Sequence, residues 1–306
     1  MPSDFFRQLL SALARTSAAT TPPIQVAPTG GKRQVRSALA RTTIAFHPRV
    51  SDVTPPNLRG ADLRGVDLSY ARLPKIDLSR SALMKSRLLF ADLAGVDFSD
   101  AQLHGASLAF ANLTGAKLSR ANLTAADLQH ANLSRVDAEG VGLMDANLTA
   151  SDLSEANLER AMLAGAQLSG AKMSTVNLTA ATLRESNLEH ATLDVANLTH
   201  AHIENAKLKG ALLDTANLTG ANLEGANLDR AVLSNANLTR ANLSGAYMGS
   251  ATLGGANLRN VKWSRSTEWP PTMLGWARSQ STEVEPGIFE IHAARPPEPT
   301  ERRRLA

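Results

Sequence analysis

Residues 111–115 read Ala111-Asn112-Leu113-Thr114-Gly115, and residues 221–225 read Ala221-Asn222-Leu223-Glu224-Gly225. The same frame runs through every fifth residue from Leu58 to Trp263, giving 42 positions without an insertion, of which 36 are Leu. The exceptions are Phe98, Ala138, Met173, Ile203, Met248 and Trp263. Two residues before each position sits Ala, or less often Val, Ser or Ile, apart from Pro56 at the start. A period of five fits neither a helix, which needs about 3.6, nor a flat strand, which needs 2. The Ala and Leu of one unit are two apart, so an extended segment sends both to the same side. Five is odd, so a continuous strand would send the next Leu to the opposite face. A corner must therefore follow each unit, and a chain that always turns the same way coils into a solenoid with Leu and Ala inside.

Two columns of like residues suggest the number of sides. Tyr70, Phe90, Phe110 and His130 lie at intervals of 20, as do Asn157, Asn177, Asn197, Asn217, Asn237 and Asn257. Stacked Asn and aromatic ladders stabilise stacked strands, and a 20-residue coil with four five-residue faces produces such stacks. The 42 units then make about ten coils of 20 residues, a rod roughly 50 Å long at a strand spacing of about 4.8 Å. Leu58, Phe98, Leu158 and Leu258 are expected in the core, all on one face. Ala138 interrupts that face and should leave a small void or a tightened coil.

These units resemble those of the pentapeptide repeat family: a small residue, Asp or Asn, Leu or Phe, then Ser, Thr or Arg, then a variable residue, over residues 57–263. The resemblance implies an all-β fold, a right-handed quadrilateral β-helix. It also implies that the central Leu and the preceding small residue fill the interior. About function it implies little. Members of the family include DNA-mimicking proteins that bind gyrase, effectors that bacteria inject into host cells, and members that dimerise through their C-terminal ends, so the resemblance implies a homodimer contact through residues 264–306 as the alternative to a cap and tail.

Three segments follow: a basic N-terminal segment (1–56), the repeat β-helix (57–263), and a C-terminal cap and tail (264–306). Trp263 occupies the last Leu position and could plug the core, with Trp269 close behind. Ile288, Phe289 and Ile291 are expected to lie back over the last coil, since solenoid ends expose sheet edges that must be covered. Residues 1–56 carry seven Lys or Arg against two Asp. Ser3 could cap a helix bearing Phe5, Phe6, Leu9, Leu10 and Leu13 on one face, followed by a linker-like, partly disordered stretch. The segment reads as a cap and linker, an export signal or a transit segment. The bacterial cytoplasm, or secretion and translocation into a host cell, are the corresponding locations.

Composition narrows the chemistry. The chain has 306 residues, no cysteine, 4% aromatic residues and a formal charge of +4. Without cysteine there are no disulfides, thiolate metal sites or cysteine nucleophiles. No apolar run approaches the roughly 20 residues of a membrane-spanning helix. His47, His104, His130, His190, His200, His202 and His292 offer no third close ligand around any pair, so no metal is expected. Asp62, Asp92, Asp127 and Asp152 recur because the frame places them before Leu, not because they form acid–base pairs. The Asn-Leu-Thr triplets that match a glycosylation sequon are equally products of the frame. No phosphate loop and no cofactor motif is present. These features point away from an enzyme.

Two surface features stand out. Arg80, Arg120, Arg160, His200 and Arg240 form an outward column on alternate coils, interrupted by Asp100. Such a column could meet an anionic surface, although alternation also avoids stacking like charges. The column Tyr70, Phe90, Phe110 and His130 is the stronger candidate contact surface, since exposed apolar patches mark binding sites. The expectation is a non-enzymatic protein-interaction scaffold, with a host protein as one candidate partner and DNA gyrase, bound by DNA mimicry, as the other. Residues 57–263 carry 19 basic and 20 acidic residues, a near-neutral rod where mimicry of DNA wants a strongly acidic one. Direct nucleic-acid binding is disfavoured because the basic excess sits at the N-terminal end.

Overall fold

The computed structural model describes residues 58–293 and 295–296. The helix and export signal expected within residues 1–56 lie outside the described residues.

From Leu58 onward the chain winds in a four-sided coil. Parallel bridges join each residue before a Leu position to the residue 20 further on, from Asp62↔Ala82 through Asn112↔Asn132 to Asn242↔Lys262. A coil therefore holds 20 residues. We number the faces by their first inward residue: Leu58, Leu63, Leu68 and Leu73 for faces one to four. Each face is too short for a full strand and contributes one bridge per coil.

The five-residue unit closes because it satisfies every one of its backbone N–H groups. Asn112 N–H donates to Ala91 in the preceding coil at 2.9 Å, and Leu113 N–H to Asn132 in the following coil at 2.7 Å. Gly115 N–H donates to Ser134 at 2.9 Å, and Ala116 N–H folds back on Leu113 at 2.9 Å to close the corner. One donor is left over, Thr114 N–H, and the Asn112 side-chain oxygen accepts it at 3.2 Å. This is why Asn or Asp so often precedes Leu: its oxygen sits where the coil-to-coil ladder leaves an N–H unpaired.

The corner also constrains the last residue of each unit. Every fifth residue from Gly60 to Asn260, apart from Ser250, has positive φ. Glycine fills only 13 of these corners, and residues as large as Phe90 (φ 55°) and Arg160 (φ 55°) take the left-handed conformation in the others. The strain is tolerated because the hydrogen bonds on either side fix the turn.

The core is a column of Leu and Ala running the length of the solenoid. Leu78, Phe98, Leu158 and Leu258 are at most 1% exposed, and burial of each Leu stabilises by roughly 2 kcal/mol before the cost of ordering its unit. The ladder passes Ala138 in register, its N–H bonding Asn157 at 2.8 Å.

The far end departs from the repeat. A single extra residue enters the corner at 264–267, so that Tyr247 bridges Glu268, one position late. Trp269 thereby takes the next inward position, and its ring meets that of Trp263 edge-on at 6.0 Å. Strand β1 (Lys262–Ser264) ends the coil, and helix α1 (Pro271–Ser279) follows, buried through Met273 and Ala277. Strands β2 (Ser281–Glu285) and β3 (Ile288–Ile291) complete an antiparallel sheet of order β1-β3-β2. Strand β3 pairs with the edge that a further coil would have used, and Phe289 stacks on Trp263 at 4.8 Å. The Trp263 indole N–H donates to Ser281 Oγ at 2.9 Å. Glu283, Glu285 and a bulge between them blunt the remaining edge strand.

Candidate interaction surface

The column Tyr70, Phe90, Phe110 and His130 runs down the corner between faces three and four. Its rings lie one over another, with centroids 5.2, 4.8 and 4.8 Å apart and interplanar angles of 7°, 11° and 15°. The spacing is that of the coils, so the backbone imposes it. Tyr70 is 67%, Phe90 45% and Phe110 48% exposed. The ring faces are used up against each other, and the edges point outward. Leu89 and the buried Ala109 flank the strip on face three. Beyond His130 the column shrinks to Ala150 and Gly170 before His190.

The arginine column is placed differently. Arg80 and Arg120 reach Asp100 from either side, at 3.9 and 2.8 Å, and Arg160 lies 3.4 Å from Glu139 and 3.5 Å from Glu159. The hydrogen bond from Arg120 holds the Asp100 carboxyl below its ordinary value, with Arg80 adding to it. Asp100, which interrupts the column in sequence, in space joins two of its members. Arg240 stands at the far end of the same corner. These groups are exposed and screened by water, and such pairs contribute little.

One polar cluster was not visible in the sequence. On face two, Arg184 forks onto Glu204 with two bonds of 3.1 Å, Asn222 donates to Glu204 at 2.8 Å, and His202 Nδ1 lies at 3.3 Å. Partial burial pushes the Glu204 carboxyl up, but the hydrogen bonds from Arg184, its own backbone and His202 outweigh this and hold it low. Arg184 and Asn222 sit 20 and 18 residues from Glu204, and only the known coil length brings them together. All its groups are mutually paired, so it reads as a structural clasp.

The Asn column from Asn157 to Asn257 also proves structural. Asn177 donates to Asn157 at 3.0 Å, while Asn197 and Asn217 donate to Thr179 and Thr199, both at 2.9 Å. Among the described residues no group of three His, Asp or Glu could hold a metal ion, and no helix is long and apolar enough to cross a membrane.

A family model for pentapeptide repeats matches residues 57–100, 101–137, 143–179, 177–214 and 216–255. The chain belongs to the pentapeptide repeat family. Its fold is accordingly the family's right-handed β-helix, and a break in the match at 138–142 starts at Ala138, the central residue of the unit 136–140. Among solved structures it is similar to HetL from Nostoc sp. strain PCC 7120, a pentapeptide repeat protein involved in heterocyst differentiation regulation. The identity is 31%, over 67% of this chain and 90% of that one, with a TM-score of 0.45. Rfr23 from Cyanothece 51142 is 37% identical over 32% of this chain and 63% of its own, with a TM-score of 0.28. Full-length QnrB1, a plasmid-mediated fluoroquinolone resistance protein, is 19% identical over 63% of this chain and 92% of its own, with a TM-score of 0.33. No curated protein matches the sequence.

Proposed function

We propose that this pentapeptide repeat protein is a non-enzymatic interaction scaffold whose contact surface is the strip of Tyr70, Phe90, Phe110 and His130. The observation that carries this reading is the exposure of three parallel, stacked aromatic rings in one continuous strip. Aromatic anchors of this kind dominate binding energy at protein interfaces. A rigid backbone holds them, so little order is lost on binding. The basic, acid-poor residues 1–56 support extending this reading to a translocated effector, with those residues as the export segment.

Imitation of DNA, with gyrase as target, is the weaker reading. It asks for a continuous acidic face, and the rod carries 19 basic against 20 acidic residues. The test is affinity capture with the full chain beside Phe90→Glu/Phe110→Glu. A protein partner should be recovered by the wild type and lost with the variant, while circular dichroism keeps the β-helix signature. Gyrase recovered equally by both would instead favour mimicry through a surface other than the strip.

A further inference from the structure

We infer that the first partner of this surface is a second copy of the chain, packed antiparallel along face four. This rests on reading the aromatic strip as a contact surface.

Face four differs from the other three in relief. Its column just after the inward residues reads Pro74, Ala94, Thr114, Ser134, Ser154, Ser174, Asp194, Asp214, Ser234 and Gly254. Nothing in it is longer than Asp. The equivalent columns elsewhere carry Arg59, Glu139 and Glu159 on face one, Met84, Met144 and Arg184 on face two, and Gln129, Glu189 and Lys209 on face three. In this column face four alone is short throughout, while its other outward column carries Arg72, Lys172 and Leu212, side chains that interdigitate with a facing copy as sheets pack at roughly 10 Å.

Exposed apolar groups gather on the same side. Of the nine large hydrophobic residues exposed among the described residues, Tyr70, Phe90, Phe110, Val195 and Leu212 lie on face four or its two bounding corners. Val195 is 58% exposed and sits between Thr175 and Thr215, three β-branched residues in succession with φ of 58°, 59° and 56°. A β-branched side chain is the least suited to that conformation.

A two-fold axis across the rod brings each column onto itself, reversed. Placed between Ala150 and Gly170, it sets the two smallest corner residues against each other at the centre. Asp152 then meets Lys172, Phe90 meets Arg230, Phe110 meets Gly210, and Arg135 meets Val195. The remaining charges of the face, Arg72, Lys75, Asp92, Glu155, Asp194 and Asp214, all meet uncharged residues. The Phe90 ring faces are covered by Tyr70 and Phe110, so Arg230 lays only its aliphatic stem against the ring edge. On face one the same reversal would set Arg80 on Arg240 and Arg59 on Arg259. The contact spans about 43 Å by about 15 Å, or about 650 Å² per copy, near the lower limit for a specific interface and in keeping with a micromolar dimer.

The experiment is sedimentation of the full chain from about 1 to about 200 µM, beside Ala150→Arg. Ala150 already has φ 55°, and Arg120, Arg135, Arg160 and Arg230 hold the same conformation, so the variant should fold. Wild type is expected to dimerise, and Ala150→Arg to weaken the dimer at least tenfold. The chain has no cysteine, so Phe90→Cys and Arg230→Cys can be mixed and joined with a short bismaleimide. The mixed product should exceed either homodimer product. A monomer over the whole range, a dimer indifferent to Ala150→Arg, or cross-linking without preference for the mixed product overturns the proposal. Ala150 lies outside the aromatic strip, so a monomeric chain that still captures a protein through Phe90 and Phe110 overturns only the second copy.

Discussion

The interior and the corners of this solenoid obey opposite rules. Inside, 36 of 42 positions are the same residue, because each must fill the same volume between the coils above and below. At the corners the backbone is equally uniform, yet glycine, arginine, phenylalanine, aspartate and valine all occupy one left-handed conformation. Uniform packing leaves the interior no freedom, whereas corner side chains stand in water and are limited only by φ. The fold is therefore written inside, and individuality is written at the corners and on the outward columns beside them.

Substitutions can break this contrast in order of size. Leu158→Ala should cost about 2–5 kcal/mol in denaturant unfolding, as a buried truncation that leaves a cavity; a loss below about 0.5 kcal/mol would contradict its inward placement. Asn197→Ala removes an acceptor for Thr199 N–H and Thr199 Oγ1, at 3.2 and 2.6 Å, and a donor to Thr179 at 2.9 Å. Its expected cost is about 1–2 kcal/mol, read by urea midpoint. Val195→Gly should go the other way, gaining about 1 kcal/mol through relief of the left-handed strain, and lower stability on that substitution would mean the side chain packs within its own chain.

The smallest effect concerns pH. The Glu204 carboxyl is held below 4.5 in the folded chain. A lowered folded value adds stability that is present above the unfolded value and is lost as pH falls through the folded one. Wild type should therefore exceed Glu204→Gln in stability near neutrality, and the difference should shrink as the pH drops below about 4.5. A difference that stays constant to pH 3 would remove the clasp from the account.

Much of this was legible in the sequence. A strict period of five with Leu at its centre demands inward Leu and a corner per unit, and the Tyr70 and Asn157 columns disclose a 20-residue coil. The aromatic strip could be foreseen because identical spacing places its members in one column. Other features could not. That Asn112 accepts the one N–H the ladder leaves over requires knowing which donors the coils already satisfy. The Glu204 clasp depends on side-chain directions between coils. The extra residue before Thr267, which turns Trp269 inward, has no signature outside the repeat frame. Helix α1 and its sheet follow from the need to cover a bare edge, and a period says nothing of how an edge is covered.

The central claim is that the aromatic corner exists for recognition while the interior carries the fold. The most direct measurement is the unfolding free energy of Phe90→Gly/Phe110→Gly. Glycine relieves strain at two corners by about 1–2 kcal/mol each, against about 0.5–1.5 kcal/mol for each stacked pair removed. The account predicts a net change within about 1 kcal/mol of wild type. A loss of 3 kcal/mol or more, comparable to that of Leu158→Ala, would show that the rings are a structural staple and contradict it.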